Sequence, residues 1–232
     1  MLEPTHALPN SSTADLAGQL TPPNGWAYTG EPRLSPRAPD RRAVARRLVA
    51  WVIYRVAKVD AANLFLALMQ HWRLFFPWLG FAARLVPYGT LARRDTELAV
   101  LRVAWNCRSR YEWWQHVDIA RRAGVTLDAI LRIPAGSEAQ GWTARESALL
   151  AAVDEIHHGR QLSDATWRRL AAHYPPRELL EICMLVGHYE MIASVLNTFR
   201  IPLDSRIEQR IAFLDTADGV YRPASQTQEL SP

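Results

Sequence analysis

The sequence predicts an all-α protein, and three observations carry that reading. Apolar residues recur at three- and four-residue steps through most of the chain. No alternating run is long enough for a strand, and Ser, Thr and Pro stand where helices would begin. At 232 residues and 49% hydrophobic, the chain can bury a core without disulfides or structural metals. A single domain is expected over residues 41–215, where no linker-like break occurs. Residues 1–40 hold nearly half of the fifteen prolines and polar clusters such as Asn10-Ser11-Ser12-Thr13. Such a segment cannot offset its ordering entropy by burial, so a disordered arm is expected there. Trp26 and Tyr28 could dock that arm on a neighbouring subunit. The tail 216–232 reads as flexible for the same reason.

The elements follow in order. Val44, Leu48, Trp51, Val52 and Val59 mark one face of a first helix, and Asp60 can cap a second, AANLFLALMQHW. Pro77 can open a third, which stops before Pro87 and Gly89. Thr90 caps a long helix through Leu98, Leu101, Val103 and Trp105. A break at 106–108 precedes a helix from Ser109 to about Ala123, which Gly124 ends. Thr126 caps a short helix that stops before Pro134. Thr143-x-x-Glu146 is a capping box for the helix running to about His157. Ser163 starts another, and Pro176 opens the longest apolar stretch, RELLEICMLVGHYEMIASVLNTF. A final helix, DSRIEQRIAFL, follows Pro202.

Composition narrows the function. The net charge is +4 and Lys58 is the only lysine. The arginine pairs are spread over separate helices rather than gathered in one stripe, so no nucleic-acid partner is expected. The N-terminus lacks the charged-then-apolar order of a secretory signal, and no uninterrupted apolar run reaches the roughly 18 residues that cross a bilayer. A cytoplasmic protein with no membrane partner is the expectation. Cys107 and Cys183 stand far apart without metal-ligand or Cys-x-x-Cys spacing, and His157-His158 sit where cations suit a helix C-terminus. No metal and no cofactor are expected.

The chemistry-bearing residues lie between Arg94 and Ala123. A helix turns about 100° per residue, so Ser109 and His116 lie nearly in line and Glu112 within about 60° of both. Glu112 and His116, four apart, could share a hydrogen bond that orients the imidazole. Glu97, on a preceding antiparallel helix, could approach the same site. The bland reading is equally concrete: Ser109-x-x-Glu112 is a capping box, Glu97 pairs with Arg102 or another arginine, and His116 packs. His188 follows Gly187 in the apolar helix, as either a pocket residue or a histidine at a subunit boundary. Trp113 lies among nine tryptophans, most of them expected in core or interface.

Three stretches carry a family resemblance. They are Glu97-Leu98-x-x-Leu101-Arg102-Val103-Ala104, then Tyr111-Glu112-Trp113-x-x-His116 with its Ile119-Ala120-Arg121-x-Ala123-Gly124 ending, and Leu196-Asn197-Thr198-Phe199. The chain resembles the carboxymuconolactone decarboxylase/AhpD-like family over about 175 residues. In the peroxidase branch a Cys-x-x-Cys precedes the histidine; here Ser109 and Glu112 occupy those two positions. The decarboxylase branch keeps a Glu and a His where Glu112 and His116 stand. The resemblance implies an AhpD-like helical bundle, a trimer or hexamer, and a small unsaturated organic substrate. It further implies cofactor-independent lyase or isomerase chemistry: decarboxylation, dehydration, isomerisation or cyclisation. His116 would shuttle the proton, Glu112 would orient it, and Glu97 would be a second acid/base. Ser109, Tyr111, Trp113 and His188 would contact substrate. The alternatives are a non-catalytic oligomeric scaffold or ligand-binding protein and, third, a thiol peroxidase, which the missing thiol pair disfavours.

Overall fold

A computed structural model describes residues 16–28, 30–36, 43–57 and 62–214. Among them there is no strand. The helices are α1 (Leu16–Gln19), α2 (Ala43–Ala57), α3 (Ala62–Leu68), α4 (Trp72–Leu85), α5 (Arg93–Asn106), α6 (Arg110–Arg122), α7 (Leu127–Arg132), α8 (Ala144–Gly159), α9 (Asp164–Ala171), α10 (Pro176–Phe199) and α11 (Ser205–Leu214). The centre is α5, which packs on α6, α8 and α10 and is buried continuously from Asp95 to Leu101. Few soluble helices are covered all round, and this one is because its neighbours enclose it from three sides.

The caps read from the sequence are present on the later helices. Thr126, Thr143 and Ser163 each accept from the third helical N–H, and Thr143 with Glu146 closes a capping box. The chain turns between α5 and α6 through Arg108, whose φ of 49° is left-handed. Arg102, expected as a possible partner of Glu97, instead grips Asp154 of α8 at 2.6 Å and donates to the Ile133 carbonyl.

Three expectations change. The helix expected to open at Pro77 begins at Trp72, because His71 caps it by accepting from the Leu74 N–H through Nδ1; Pro77 lies inside α4. Thr90 does not cap α5. Its N–H and hydroxyl, together with the Leu91 N–H, donate to the carboxylate of Glu181 on α10, and Ala92 takes the N-cap position without a side-chain bond. Residues 16–28 and 30–36, assigned to the disordered arm, lie against the helical core of their own chain. Leu20 is fully buried, Trp26 packs on Trp105 and Trp113 with ring centroids 6.2 Å away, and Ala27 N–H donates to the Arg108 carbonyl. The Tyr28 hydroxyl donates to the Ile201 carbonyl. Residues 1–15, the cap assigned to Asp60 and the tail 216–232 fall outside the described residues.

Helix α10 is long and apolar enough to cross a membrane by length and composition, with a mean hydropathy of 1.6, although acids interrupt its apolar run. Half of that stretch is buried, mostly against α5, as suits a core helix.

Gly89 shows how closely the α4–α5 turn approaches α10. A Cβ there would meet Glu181 Oε1 at 2.2 Å and the Leu85 carbonyl oxygen at 2.4 Å. The backbone contact cannot swing away, so Gly89→Ala is expected to cost about 1–3 kcal/mol, the usual range for overpacking. Denaturant unfolding of the two proteins measures it, and an unchanged midpoint would show that the turn is slack.

Candidate active site

The antiparallel pair α5–α6 places Glu97 opposite His116. His116 Nδ1 lies 2.7 Å from Glu97 Oε2, and the Arg93 guanidinium lies 2.9 Å from Oε1, one turn earlier on α5. Glu97 is wholly buried, so this carboxylate sits between a cation and an imidazole with no water to share the load. With Nδ1 engaged, Nε2 is the nitrogen His116 can offer to a ligand. The carboxylate in hydrogen-bond contact with the imidazole is therefore that of Glu97 and not that of Glu112.

Glu112 has a different character. It is 2% exposed, and neither carboxyl oxygen has a hydrogen-bond partner among the described residues. Burial pushes its pKa well above the ordinary carboxyl value, and the nearby Ser109 hydroxyl offsets little of that. Glu112 therefore holds its proton to higher pH than an ordinary carboxyl does. Ser109 does not cap α6: its hydroxyl makes no cap bond, and its ψ of 95° contrasts with 158°, 160° and 155° at the working caps Thr126, Thr143 and Ser163.

Glu112 and His116 line a cavity of about 390 Å3 enclosed by α2, α3, α4, α6 and α10. Its polar wall is formed by Arg93, Glu112, Gln115, His116, His188 and Tyr189. The opposing walls are apolar, including Ile53, Phe65, Trp78, Leu79 and Ile192. His188 stacks on Trp78 at 6.0 Å, and burial lowers its pKa to about 4, with His116 acting in the same direction, so it is a neutral imidazole. The Tyr189 ring stands edge-on to both histidines, 5.0 Å from His116 and 5.2 Å from His188. Burial, then Glu97 and Glu112, hold the Tyr189 hydroxyl firmly protonated.

The other expected contact residues sort differently. The Tyr111 ring lines the cavity, but its hydroxyl donates to Asp204, tying α6 to the start of α11. Trp113 is fully buried between Trp26 and Trp105 and does not reach the cavity, and neither does Ser109. Arg93, Gln115 and Tyr189 were not expected. For Arg93 the signal was present, since it stands four residues before Glu97. Tyr189 adjoins His188 but points across the cavity floor to α6, which no local pattern encodes. Cys107 lies outside the cavity lining, 4.0 Å from His157 Nδ1, and burial pushes its thiol up to about 12. Among the described residues no group of three or more His, Cys, Asp or Glu is arranged to hold a metal.

The all-α bundle has the fold of AhpD-like helical proteins. Residues 75–155 match the model of the Carboxymuconolactone decarboxylase family, a span that includes Glu97, Glu112 and His116. No curated protein matches the chain with significant similarity. Solved structures do. The AhpD-core peroxidase-related protein of Ralstonia eutropha JMP134 is 17% identical with a TM-score of 0.63, covering 77% of this chain and 96% of that one. A peroxidase-related protein of Silicibacter sp. TM1040 is 12% identical with a TM-score of 0.66, covering 77% and 95%. The debrominase Bmp8, as a Cys-to-Ala variant with 2,3,4-tribromopyrrole, is 13% identical with a TM-score of 0.64, covering 79% and all of that chain. The family match over residues 75–155 and the shared fold together support a carboxymuconolactone decarboxylase/AhpD-like assignment. That match and the debrominase neighbour support enzymatic activity of a broad kind.

The protonation state of Glu112 has a measurable consequence. The unfolded chain ionises this group near its ordinary value of 4.5, whereas the folded one holds its proton to higher pH. Its contribution to stability is complete below that value and is lost as pH rises towards the raised folded pKa, at up to about 1.4 kcal/mol per pH unit. Glu112→Gln should remove this slope and be more stable than wild type at neutral pH. Urea unfolding at several pH values above 4.5 tests it; parallel curves for the two proteins would mean that Glu112 is ionised.

Proposed function

We propose that the chain is a cofactor-independent lyase or isomerase acting by proton transfer on a small unsaturated organic substrate. The observation that carries this is the 2.7 Å contact between His116 Nδ1 and buried Glu97, which makes Nε2 a base at the edge of a ligand-sized cavity. His116 takes a proton from a carbon next to a carbonyl or carboxyl group, and the electron pair moves into the conjugated system. Glu112 returns a proton from its own O–H at the other end, and the proton held on His116 then passes to the Glu112 carboxylate through solvent, so that hydrogen is relocated, both groups are reset and no electrons are gained or lost. With a carboxylated substrate, loss of carbon dioxide supplies the same electron pair and Glu112 protonates the carbon left behind. Glu97 is a positioning residue that balances the imidazolium, while Tyr189 and neutral His188 orient the ring. The binding of a flat bromopyrrole by a neighbour of the same fold supports a substrate of that size and shape.

Two other readings have less support. A scaffold that had lost activity would have no reason to hold a buried Glu112, its proton retained to raised pH, against a ligand-sized cavity. A thiol peroxidase needs a thiolate and a resolving thiol, and Cys107 has neither. Self-association is proposed separately. The exposed side of α10 presents Leu180, Met184 and Met191 with no charge between them, a stripe suited to a second copy. Light scattering should find a multimer that Met184→Arg dissociates; a monomeric wild type would remove this proposal.

The catalytic reading is tested by following deuterium uptake or turnover with a panel of unsaturated acids and lactones. His116→Ala should lower the rate about 10²–10⁴-fold, as removal of a general base does. Glu112→Gln should lower kcat with little change in KM, because its proton is needed only in the reaction. Undiminished turnover by His116→Ala would eliminate the mechanism.

A further inference from the structure

Charge is distributed unevenly along the chain. Residues 41–94 contain ten Lys and Arg and one acid, Asp60, so this stretch carries +9 while the whole chain carries +4. The elements it builds are also where apolar side chains are left uncovered. On α2, Val44, Leu48, Trp51 and Val52 are exposed along one face, Val44 by 80%. On α4, positions 73, 74, 76, 77, 80, 81 and 84 form an exposed side, with Leu74, Phe76 and Phe81 between Arg73 and Arg84. Arg47 and Arg55 are likewise exposed, and the Arg55 guanidinium lies 5.8 Å above the Trp51 ring.

From these observations we infer that α2 and α4 form a docking face for an anionic lipid bilayer. Aliphatic and aromatic side chains interleaved with exposed arginines match the interfacial region: the apolar groups enter the acyl boundary while the guanidinium groups meet phosphates. Charge decides against the other occupants. A second copy meeting this face on itself would set the exposed Arg47, Arg55, Arg73 and Arg84 against the same four cations, whereas the uncharged stripe of α10 offers self-association without that cost. A nucleic acid would reward the arginines but gain nothing from exposed Val44, Leu48 and Leu74. The face also borders the cavity. Val52 of α2 and Tyr88 after α4 both line it and are both exposed, so its mouth opens at the margin of the proposed contact. An apolar substrate dissolved in the bilayer could then enter without crossing bulk water. That last step rests on the acid/base reading of the site; the docking does not.

The test is co-sedimentation of the full chain with vesicles of phosphatidylcholine alone and of equal parts phosphatidylcholine and phosphatidylglycerol. Binding should be at least about tenfold tighter to the anionic vesicles and weaken with added salt. The double variant Leu48→Glu/Trp51→Glu should lose at least about tenfold in affinity, because both positions would place charge where hydrocarbon contact is needed. The double variant Arg47→Glu/Arg55→Glu should lose the preference for phosphatidylglycerol while remaining folded. Trp167→Glu on α9, an exposed aromatic outside both this face and the α10 stripe, should bind like wild type. The inference is overturned if anionic vesicles are not bound, or if both double variants bind as wild type. It is equally overturned if Leu48→Glu/Trp51→Glu turns a multimer into monomers, or abolishes nucleic-acid binding with vesicle binding unchanged. Vesicle binding requires no turnover, so a His116→Ala protein should bind normally, and each proposal can fail without the other.

Discussion

The architecture depends on placing the Glu97 carboxylate where water does not reach. An ionised carboxyl taken out of water costs several kcal/mol unless partners replace its hydration. Two partners do so, from two directions. Arg93 comes from the same helix one turn back, and His116 from the antiparallel neighbour, at 2.9 and 2.7 Å. The intrahelical partner survives any sliding of α6, but the interhelical one does not. Register between α5 and α6 is therefore fixed by a polar contact within an otherwise apolar packing of Leu98, Leu101, Trp113 and Val117. Glu112, on the same face of α6, receives neither a cation nor an imidazole, and burial shifts it towards its protonated form. Two acidic side chains on neighbouring helices are thus set to different tasks by their surroundings alone.

That difference marks where the sequence could be read and where it could not. The all-α class, the break at 106–108 and the caps at Thr126, Thr143 and Ser163 depend on local patterns, and local patterns are visible in a single chain. The meeting of Glu97 with His116 also follows from helix length and a short turn. Which glutamate holds the imidazole does not. Spacing of four favours Glu112, but Glu97 reaches the His116 Nδ1 from the neighbouring helix at 2.7 Å and Glu112 makes no such bond; a contact between helices is not encoded by spacing within one. Ser109 failed as a cap for a related reason. Its backbone continues straight out of a tight turn at Arg108, so ψ stops at 95° and the hydroxyl never faces the helical N–H groups.

The N-terminal segment shows the limits of composition as a guide. Proline and small polar residues dominate residues 16–36, yet three side chains anchor them. Leu20 is wholly buried, Trp26 closes over Trp113, and Tyr28 reaches the Ile201 carbonyl. A few large side chains with receptive surfaces can order a segment whose average residue contributes little. The anchoring also explains why Trp113 is absent from the cavity. It is held between Trp26 and Trp105 on the far side of α6, leaving the cavity face to Glu112, Gln115, His116 and Ile119.

The same accounting constrains what the cavity can accept. Among the described residues Arg93 is the only guanidinium lining it and is already matched by Glu97, while burial disfavours the charged forms of Glu112 and His188. A multiply charged substrate would enter with its charges unanswered, at a desolvation cost that apolar walls such as Phe65, Trp78 and Ile192 cannot offset. A ligand with one polar group and an apolar body meets no such penalty. Its polar end finds Glu112 and His116, and its body displaces water from the walls of α2 and α4. The chemistry and the selectivity then share one origin: protons are retained in the cavity because charge is excluded from it, and the same exclusion selects the substrates that reach those protons.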